Sequence, residues 1–395
     1  MRDRTMGDAE FWVLSTAQGR SLLSQVASIS SPGPSELARW SSGTSQEIVS
    51  AAIRIAEGQR RGMAKFSLAG QMWFDRIGLE QSTTELVARH KASRFAGRTR
   101  TVIDLCCGIG GDTLALASRA EVLAVDMDET MCRRTRWNAE VYQFGEQVAP
   151  VCARAESIAI PRGAWVHIDP DRRLRSASRA KRLVDYEPGL AFLHSLADRV
   201  EGGAIKVSPA SDFDQQFPRE RFEVELVSLG GECKEATVWF GTAASCGRRA
   251  TRLPEGVTWT DRESAINQGV EVSPVLRYVF DPDPSLARSG LLDGFASKHS
   301  LTRYVAGIDY LTGPSLVKSA FLVPFEVLAE LPLDMRRIKA EIASREIGVL
   351  EVKMKGLDLK PEEIRSKLRG REGMPATLLL SGGHGKARAV IARRV

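Results

Sequence analysis

The sequence predicts an α/β protein with a parallel, Rossmann-like sheet, a helical segment before that sheet and a small α+β domain after it. Two apolar runs, at 102–105 and 122–125, have the composition of buried parallel strands. A glycine-rich turn and a helical stretch at 113–120 separate the two runs. Strand, glycine turn, helix and strand is the order of a nucleotide-binding βαβ unit, so this segment locates the sheet.

The composition is that of an ordinary globular chain. The 395 residues suggest two or three domains, and 43% hydrophobic residues are enough for a sizeable core. No apolar run approaches the ~20 residues that cross a bilayer, and the first ten residues lack the apolar core of a signal peptide. We therefore expect a cytoplasmic protein with no membrane partner.

The N-terminal segment, 1–95, is predicted to be mostly helical. Apolar periodicity favours helices at 51–61 and 83–95, and Ser/Gly/Pro-rich stretches at 29–35 and 41–45 separate the helical parts.

The next segment, 96–250, alternates predicted strands and helices. The strands flanking residues 230–234 could form an antiparallel hairpin at the sheet edge. The Gly/Pro/charge-rich stretch 248–272 indicates a connector, and 251–325 is interpreted as a connector and accessory region with one short strand and a helix near 285–298. Further strands are predicted at 148–152, 165–169, 203–207, 223–229 and 236–241.

The last segment, 326–395, has the pattern of a separate α+β module. Two predicted strands flank Gly382-Gly383-His384-Gly385, which is typical of a β-hairpin. Its predicted elements are a helix at 334–346, a strand at 349–354, a helix at 361–368 and hairpin strands at 375–381 and 387–393.

The glycine turn points to one class of cofactor. Gly108, Gly110 and Gly111 can take positive φ and leave room for a ligand. The pattern D-x-x-x-G-x-G-G puts the carboxylate of Asp104 near the turn, which suits the cationic S-adenosylmethionine better than a pyrophosphate. Asp126, after the second strand, can accept hydrogen bonds from ribose hydroxyls. The predicted cofactor-binding residues are Asp104, Cys107, Gly108, Gly110, Gly111, Asp126, Met127 and Glu156.

This segment resembles motif I and the acidic loop of class I S-adenosylmethionine-dependent methyltransferases. More narrowly, it is similar to the trimethylguanosine synthase branch, which methylates an exocyclic guanine amine in RNA. The upstream stretch 73–90 is similar to the segment that leads into the catalytic domain of that branch. The residues that carry the resemblance are Asp104, Cys107, Gly108, Gly110, Gly111, Asp112, Thr113, Asp126, Asp128 and the segment 138–142.

The module at 326–395 resembles the THUMP-like domain of some bacterial methyltransferases, chiefly through residues 349–356 and the closing hairpin. THUMP domains bind tRNA, so the resemblance implies an RNA substrate. A dimerisation or stability module is the alternative.

The loop after the fourth strand is the predicted catalytic loop, because ligands bind beyond the carboxyl ends of parallel strands. Amino-methyltransferases usually have [DNS]-P-P-[YFW] here, whereas this chain has Asp169-Pro170-Asp171-Arg172. Asp169 could orient the target amine or take its proton, and Arg172 could stack on a base or bind phosphate. The predicted catalytic residues are Asp169, Pro170 and Arg172. The alternative for Asp169 is a helix cap.

Other single residues carry weaker signals. Arg154 stands where an acid usually contacts adenine, and Glu156 lies two residues further on. The five histidines show no metal-ligand spacing, so each is interpreted as structural. The six cysteines form no C-x-x-C pair, which argues against a disulfide scaffold and structural zinc; we expect no metal.

Clustered basic residues point to a polyanionic partner. The chain has a formal net charge of +6. One basic cluster lies at 172–182, and a second lies near the C-terminus among interspersed acids. A solvated surface of alternating charge is the alternative for both clusters. The residues predicted to contact RNA, together with the C-terminal domain, are Arg172, Arg173, Arg175, Arg179, Lys181 and Arg182.

These observations predict a methyltransferase that acts on a base nitrogen in structured RNA, either tRNA or rRNA. Two alternatives stay open. One is a small-molecule or protein methyltransferase, and the other is a catalytically silent RNA-binding protein with a methyltransferase fold.

Overall fold

The computed structural model describes residues 2–172, 183–263, 269–368, 373–383 and 387–395. The chain forms two compact units. Unit 1 comprises Met1–Phe222 and Glu235–Ser245, and unit 2 comprises Glu223–Lys234 and Cys246–Val395. The division into the four segments predicted from the sequence remains a prediction.

The N-terminal part of unit 1 is helical, as predicted. The fourth helix begins where the Ser45 side chain accepts a hydrogen bond from the Ile48 N–H, and it buries Ile55 beside Trp40 and Trp73 in one apolar cluster. The helices are α1 (Arg2–Ser15), α2 (Ala17–Ala27), α3 (Pro34–Ser41), α4 (Gln46–Gly62), α5 (Arg76–Gln81) and α6 (Glu85–Ser93), with a 3₁₀ turn at Ala69–Gln71.

A mostly parallel sheet follows within unit 1. Its strands are β1 (Thr101–Leu105), β2 (Glu121–Asp126), β3 (Val148–Cys152), β4 (Trp165–Ile168) and β7 (Gly202–Val207), and a two-residue ladder joins β5 (Asp171–Arg172) to β6 (Tyr186–Glu187). The helices are α7 (Gly111–Ala117), α8 (Glu129–Val141) and α9 (Leu190–Arg199), with 3₁₀ turns at Ala155–Ser157 and Leu183–Asp185.

Two further strands, β8 (Phe222–Leu229) and β9 (Glu232–Gly241), follow β7 in the chain. Strand β9 pairs antiparallel with β7, so the order in unit 1 is β9-β7-β4-β1-β2-β3. Strand β1 pairs in parallel with β2 on one side and with β4 on the other, so the order in which strands are added to the sheet reverses at β1. This switch point opens a crevice at the carboxyl ends of β1 and β4.

Unit 2 contains a three-strand set and a seven-stranded sheet of order β13-β14-β12-β15-β18-β17-β16. Strand β8 pairs in parallel with β10, and β10 pairs antiparallel with β11. The elements are β10 (Arg248–Leu253), β11 (Val257–Thr260), β12 (Tyr278–Pro282), α10 (Pro284–Arg288), α11 (Leu292–Lys298), β13 (Thr302–Arg303), β14 (Leu311–Gly313), β15 (Leu322–Pro332), α12 (Met335–Ser344), β16 (Ile347–Lys355), α13 (Pro361–Lys367), β17 (Met374–Ser381) and β18 (Arg388–Arg394).

The connector predicted at 248–272 is wrong in its first part, where β10 and β11 lie. Its charged composition hides a strand, because the polar side chains are satisfied by the neighbouring strand: Arg249 donates to Glu223 at 2.7 Å, and Thr251 donates to Glu225. The predicted sheet edge is wrong for the same reason, since β8 pairs with β10.

The helix predicted at 285–298 is divided into α10 and α11. Gly290 lies between them with φ +75°, a conformation that ends a helix.

The elements predicted after 326 are confirmed. Asp334 caps α12 by accepting hydrogen bonds from the N–H groups of Arg336 and Arg337, and β17 and β18 form the antiparallel pair. The turn residues 384–386 lie outside the described residues.

In the part of the chain that the structure describes, no helix is long and apolar enough to cross a membrane. The cytoplasmic location stays a prediction.

Candidate active site

The turn after β1 has the backbone geometry that its glycines predict. Gly108 has φ +55° and Gly110 has φ +88°, and a Cβ added to Gly108 would meet nothing within 4 Å. The Gly108 position therefore borders open space. A Cβ on Gly110 would come within 3.2 Å of the Thr135 side chain, so helix packing restricts that position. Cys106 also lies in the left-handed region, with φ +58°.

Asp126 holds the turn from the end of β2. Its carboxylate accepts hydrogen bonds from the N–H groups of Gly108 and Asp128, both at 2.9 Å. Burial raises the pKa of Asp126 despite these bonds. Met127 is exposed beside it. The side chain of Asp126 is half-buried, so it can still accept further hydrogen bonds from a ligand.

Asp104 lies beneath the turn rather than in it. It is 1% exposed, and its carboxylate accepts hydrogen bonds from the Thr113 hydroxyl and from His167 Nδ1, the latter at 2.7 Å. His167 stands directly opposite Asp104 across the β1–β4 pairing. The structure thus shows Asp104 supporting the turn, and it shows no open face of this carboxylate.

The two cysteines of the turn differ in environment. Cys107 is buried in the apolar core of unit 1, and burial raises the pKa of its thiol well above the usual value. Cys106 is less buried, and burial together with the carboxylates of Asp126 and Asp169 also raises the pKa of its thiol. Both thiols therefore stay protonated and unreactive. All six cysteines are free thiols.

Glu156 is exposed after β3 and belongs to a small ion-pair network. Its carboxylate pairs with Arg154 at 3.3 Å, and Arg154 also pairs with Glu187 at 3.2 Å. Arg154, which stands where an acid usually contacts adenine, thus links the carboxylates of Glu156 and Glu187.

Asp169 follows β4 directly, and its N–H donates to the Leu105 carbonyl at 3.1 Å. Its carboxylate accepts a hydrogen bond from Lys206 Nζ at 2.7 Å and remains 33% exposed. Pro170 is buried beside it. Arg172 pairs through its backbone with Tyr186, while its side chain and residues 173–182, with the other predicted RNA-contacting residues, lie outside the described residues.

Lys206, on β7, is the partner of Asp169, and the sequence analysis did not predict it. Its ammonium also donates to the Gln81 carbonyl at 3.1 Å, which ties β7 to the end of α5. Burial alone would lower its pKa, but the carboxylates of Asp169, Asp112 and Glu235 raise it. Lys206 therefore remains protonated beside Asp169. A lysine near the end of an otherwise apolar strand was the available signal.

A second buried lysine extends this network. Lys91, on α6, is 2% exposed and forms ion pairs with Asp112 at 3.0 Å and Glu235 at 2.7 Å. The two carboxylates raise the pKa of Lys91 against the effect of burial, and Lys91 in turn lowers the pKa of Asp112. The Thr83 hydroxyl lies 2.7 Å from Asp112 and 3.1 Å from Glu235.

His167 connects the lysine to the turn. Its Nε2 lies 3.3 Å from Lys91 Nζ, and its Nδ1 lies 2.7 Å from Asp104. Because Lys91 can only donate and Asp104 accepts, both contacts are satisfied by the neutral tautomer with the proton on Nδ1. The histidine is fully buried and joins β4 to β1 and α6, and its interpretation as structural stays a prediction.

Two family models match the chain. The RNA cap guanine-N2 methyltransferase model matches residues 99–183, and the THUMP domain-like model matches residues 323–394. The chain is also 33% identical over 317 residues to an uncharacterized S-adenosylmethionine-dependent methyltransferase from Mycobacterium tuberculosis, strain CDC 1551, covering 79% of this chain and 85% of the relative. The counterpart in strain H37Rv matches equally. The chain belongs to the S-adenosylmethionine-dependent methyltransferases.

The fold of this methyltransferase agrees with that family assignment. A crystal structure of a candidate methyltransferase from Porphyromonas gingivalis W83 covers 95% of this chain and 98% of its own, with a TM-score of 0.75 at 20% identity. This structure confirms the methyltransferase fold, while the family model confirms the C-terminal THUMP-like domain and the Mycobacterium tuberculosis relatives confirm the cofactor class inferred from the turn.

The charges in the crevice of the methyltransferase fit a cationic cofactor. Around and beneath the turn, the carboxylates of Asp112, Asp169 and Glu235 outnumber the ammonium groups of Lys91 and Lys206. Excess negative charge in a poorly solvated site favours a positively charged ligand. Open space at Gly108 leaves room for it. Among the described residues, no group of His, Cys, Asp and Glu side chains is arranged to hold a metal ion.

Proposed function

We propose that this methyltransferase transfers a methyl group to a nitrogen of a base in structured RNA. The supporting observation is the Asp169–Lys206 pair at the carboxyl end of β4, beside the glycine turn. The matches to an RNA cap guanine-N2 methyltransferase model and to a THUMP domain-like model favour RNA as the acceptor.

The cofactor would be held by the turn at Gly108 and Gly110 and by the Asp126 carboxylate. Bound S-adenosylmethionine supplies an electrophilic methyl group on a sulfonium. The base nitrogen would supply the electron pair of the new bond, and the electron pair of the broken carbon–sulfur bond would leave with the sulfur. The charge that develops on the nitrogen is removed when a proton leaves.

Asp169 would act on that nitrogen. A carboxylate that accepts a hydrogen bond from the amine orients its electron pair and is placed to take the proton. Burial raises the pKa of Asp169, which makes the carboxylate a better proton acceptor. Lys206 holds one carboxylate oxygen and leaves the other for the amine. Lys206 is therefore proposed as a positioning residue.

The test is methyl transfer from radiolabelled S-adenosylmethionine to total RNA from a strain that lacks this protein, followed by nucleoside analysis. We expect label in one RNA class. Asp169→Ala should lower the rate constant by roughly 10²–10⁴-fold while cofactor binding persists. Asp126→Ala should weaken cofactor binding. Asp198→Ala, which removes an exposed carboxylate on α9, is the control and should change neither.

Each other outcome has a defined meaning. Cofactor binding without labelled RNA would contradict the RNA proposal and favour a small-molecule or protein acceptor. Neither binding nor label would favour a silent RNA-binding protein. Full turnover in Asp169→Ala would contradict the assigned role of Asp169.

A further inference from the structure

A groove in unit 1 lies apart from the residues assigned above, except that Gly111 borders it. Its volume is about 340 Å³, within the range of small-ligand sites. One face of α7 forms part of the lining, through Gly111, Leu114, Ala115 and Ser118. These residues recur at helical spacing, so they lie on one side of the helix and its C-terminal end.

Aromatic side chains form another part of the lining. Phe66, Tyr142 and Phe144 border the groove, and the rings of Tyr142 and Phe144 are inclined by only 19° with centroids 6.5 Å apart. The Tyr142 hydroxyl donates to Glu85 at 3.0 Å and accepts from the Leu68 N–H at 3.4 Å. These bonds fix the ring before a ligand arrives, which reduces the entropy lost on binding.

The charge at the groove is positive. Glu85 accepts hydrogen bonds from the Ser67 N–H at 2.6 Å and from Tyr142, and it pairs with Arg89. These hydrogen bonds lower the pKa of Glu85 although burial opposes them, so its carboxylate is ionised and already engaged. Arg119 is exposed at the rim, and in the described part of the chain its guanidinium has no ion-pair or hydrogen-bond partner.

We propose that this groove binds one unpaired nucleotide, with its base on the aromatic side chains and its phosphate at Arg119. Aromatic rings beside an unengaged arginine match the two parts of a nucleotide, a flat π-face and an anion. Because Gly111 belongs to both the groove and the cofactor turn, the bound nucleotide lies next to the active site. The RNA source of this nucleotide rests on the proposed function; a free nucleotide has the same chemistry.

The test is fluorescence anisotropy of a labelled single-stranded RNA with the full chain at low salt and without cofactor. Phe144→Leu removes a stacking ring but keeps an apolar side chain, and Arg119→Glu reverses the rim charge. Each should weaken binding by about tenfold. Arg162→Glu, the same charge reversal at another exposed site before β4, is the control and should change affinity less than about twofold.

Competition with unlabelled nucleoside monophosphates distinguishes the two sources. If they displace the RNA, a free nucleotide is a ligand; if they do not while both variants bind RNA weakly, the strand itself is the ligand. Both results support the groove. Unchanged affinity in Arg119→Glu and Phe144→Leu, or equal loss in Arg162→Glu, would overturn it. Thermal melting of each variant checks that it is folded. The binding assay needs no methyl transfer, so a failure of the proposed function would be a separate result.

Discussion

Each unit contains a three-charge cluster, and the two clusters have opposite compositions. In unit 1, Lys91 lies between Asp112 and Glu235, with all three side chains no more than 9% exposed. In unit 2, Asp281 lies between Lys353 and Lys355 at 2.8 and 2.7 Å, and both lysines are close to 30% exposed. The number of ion pairs is the same, but only the first cluster has lost its water. Desolvation therefore decides what each cluster contributes to stability.

The sign of the net charge also differs. The unit 1 cluster has two carboxylates to one ammonium and lies beneath the turn proposed to hold a cationic cofactor. The unit 2 cluster has two ammonium groups to one carboxylate, and both lysines belong to the stretch matched by the THUMP domain-like model. The first sign suits a cationic ligand, and the second suits an anionic one such as phosphate.

The comparison predicts its largest effect for Lys91→Met. This change leaves two buried carboxylates without their cation, and we expect it to lower the free energy of unfolding by about 3–5 kcal/mol. Lys353→Met is the matched control, because Asp281 keeps Lys355 and some solvent; we expect a loss of at most about 1 kcal/mol. Urea unfolding of both variants measures the difference. Equal losses would show that burial does not separate the two clusters.

Lys206→Met tests whether the buried ammonium of Lys206 sets the pKa of Asp169 and thereby the pH dependence of activity. Burial already raises the pKa of Asp169, and loss of the neighbouring cation disfavours its carboxylate further, so that pKa rises again. If ionised Asp169 is needed, activity falls as the pH drops through this pKa. The acidic limb of kcat/KM should therefore move to higher pH, by roughly one pH unit or more.

Lys206→Arg keeps the positive charge and should leave that limb near its original pH. A loss of activity in Lys206→Met that is the same at every pH would instead indicate a purely structural role, and the positioning assignment would be wrong.

The two regions also differ in how far their sequence predicts them. The turn at 108–111 and the elements after 326 follow from local rules, since glycine conformation, helix caps and apolar alternation act over a few residues. Asp334 and Gly110 are examples, because each begins a helix, Gly110 through its backbone conformation and Asp334 through its side chain. Such signals are visible in one sequence.

The charge network depends on contacts between distant parts of the chain. Lys91 on α6 meets Glu235 on β9, and Lys206 meets Asp169 through the β4–β7 pairing. No local pattern gives the partner of a buried lysine. Strand β10 was missed for the same reason, since Arg249 and Thr251 are satisfied by Glu223 and Glu225 on β8.

The smallest effect is expected at an exposed ion pair of unit 2. Arg388 on β18 contacts Glu330 on β15, with the two side chains 45% and 30% exposed. Water already solvates both groups, so Arg388→Ala should lower the free energy of unfolding by no more than about 1 kcal/mol. High salt should reduce even that loss, whereas the loss in Lys91→Met should persist because buried charges are poorly screened. A double-mutant cycle with Glu330→Ala, measured by urea unfolding at two salt concentrations, isolates the pair. A coupling energy as large as the loss in Lys91→Met, unchanged by salt, would show that exposure does not set the strength of these pairs.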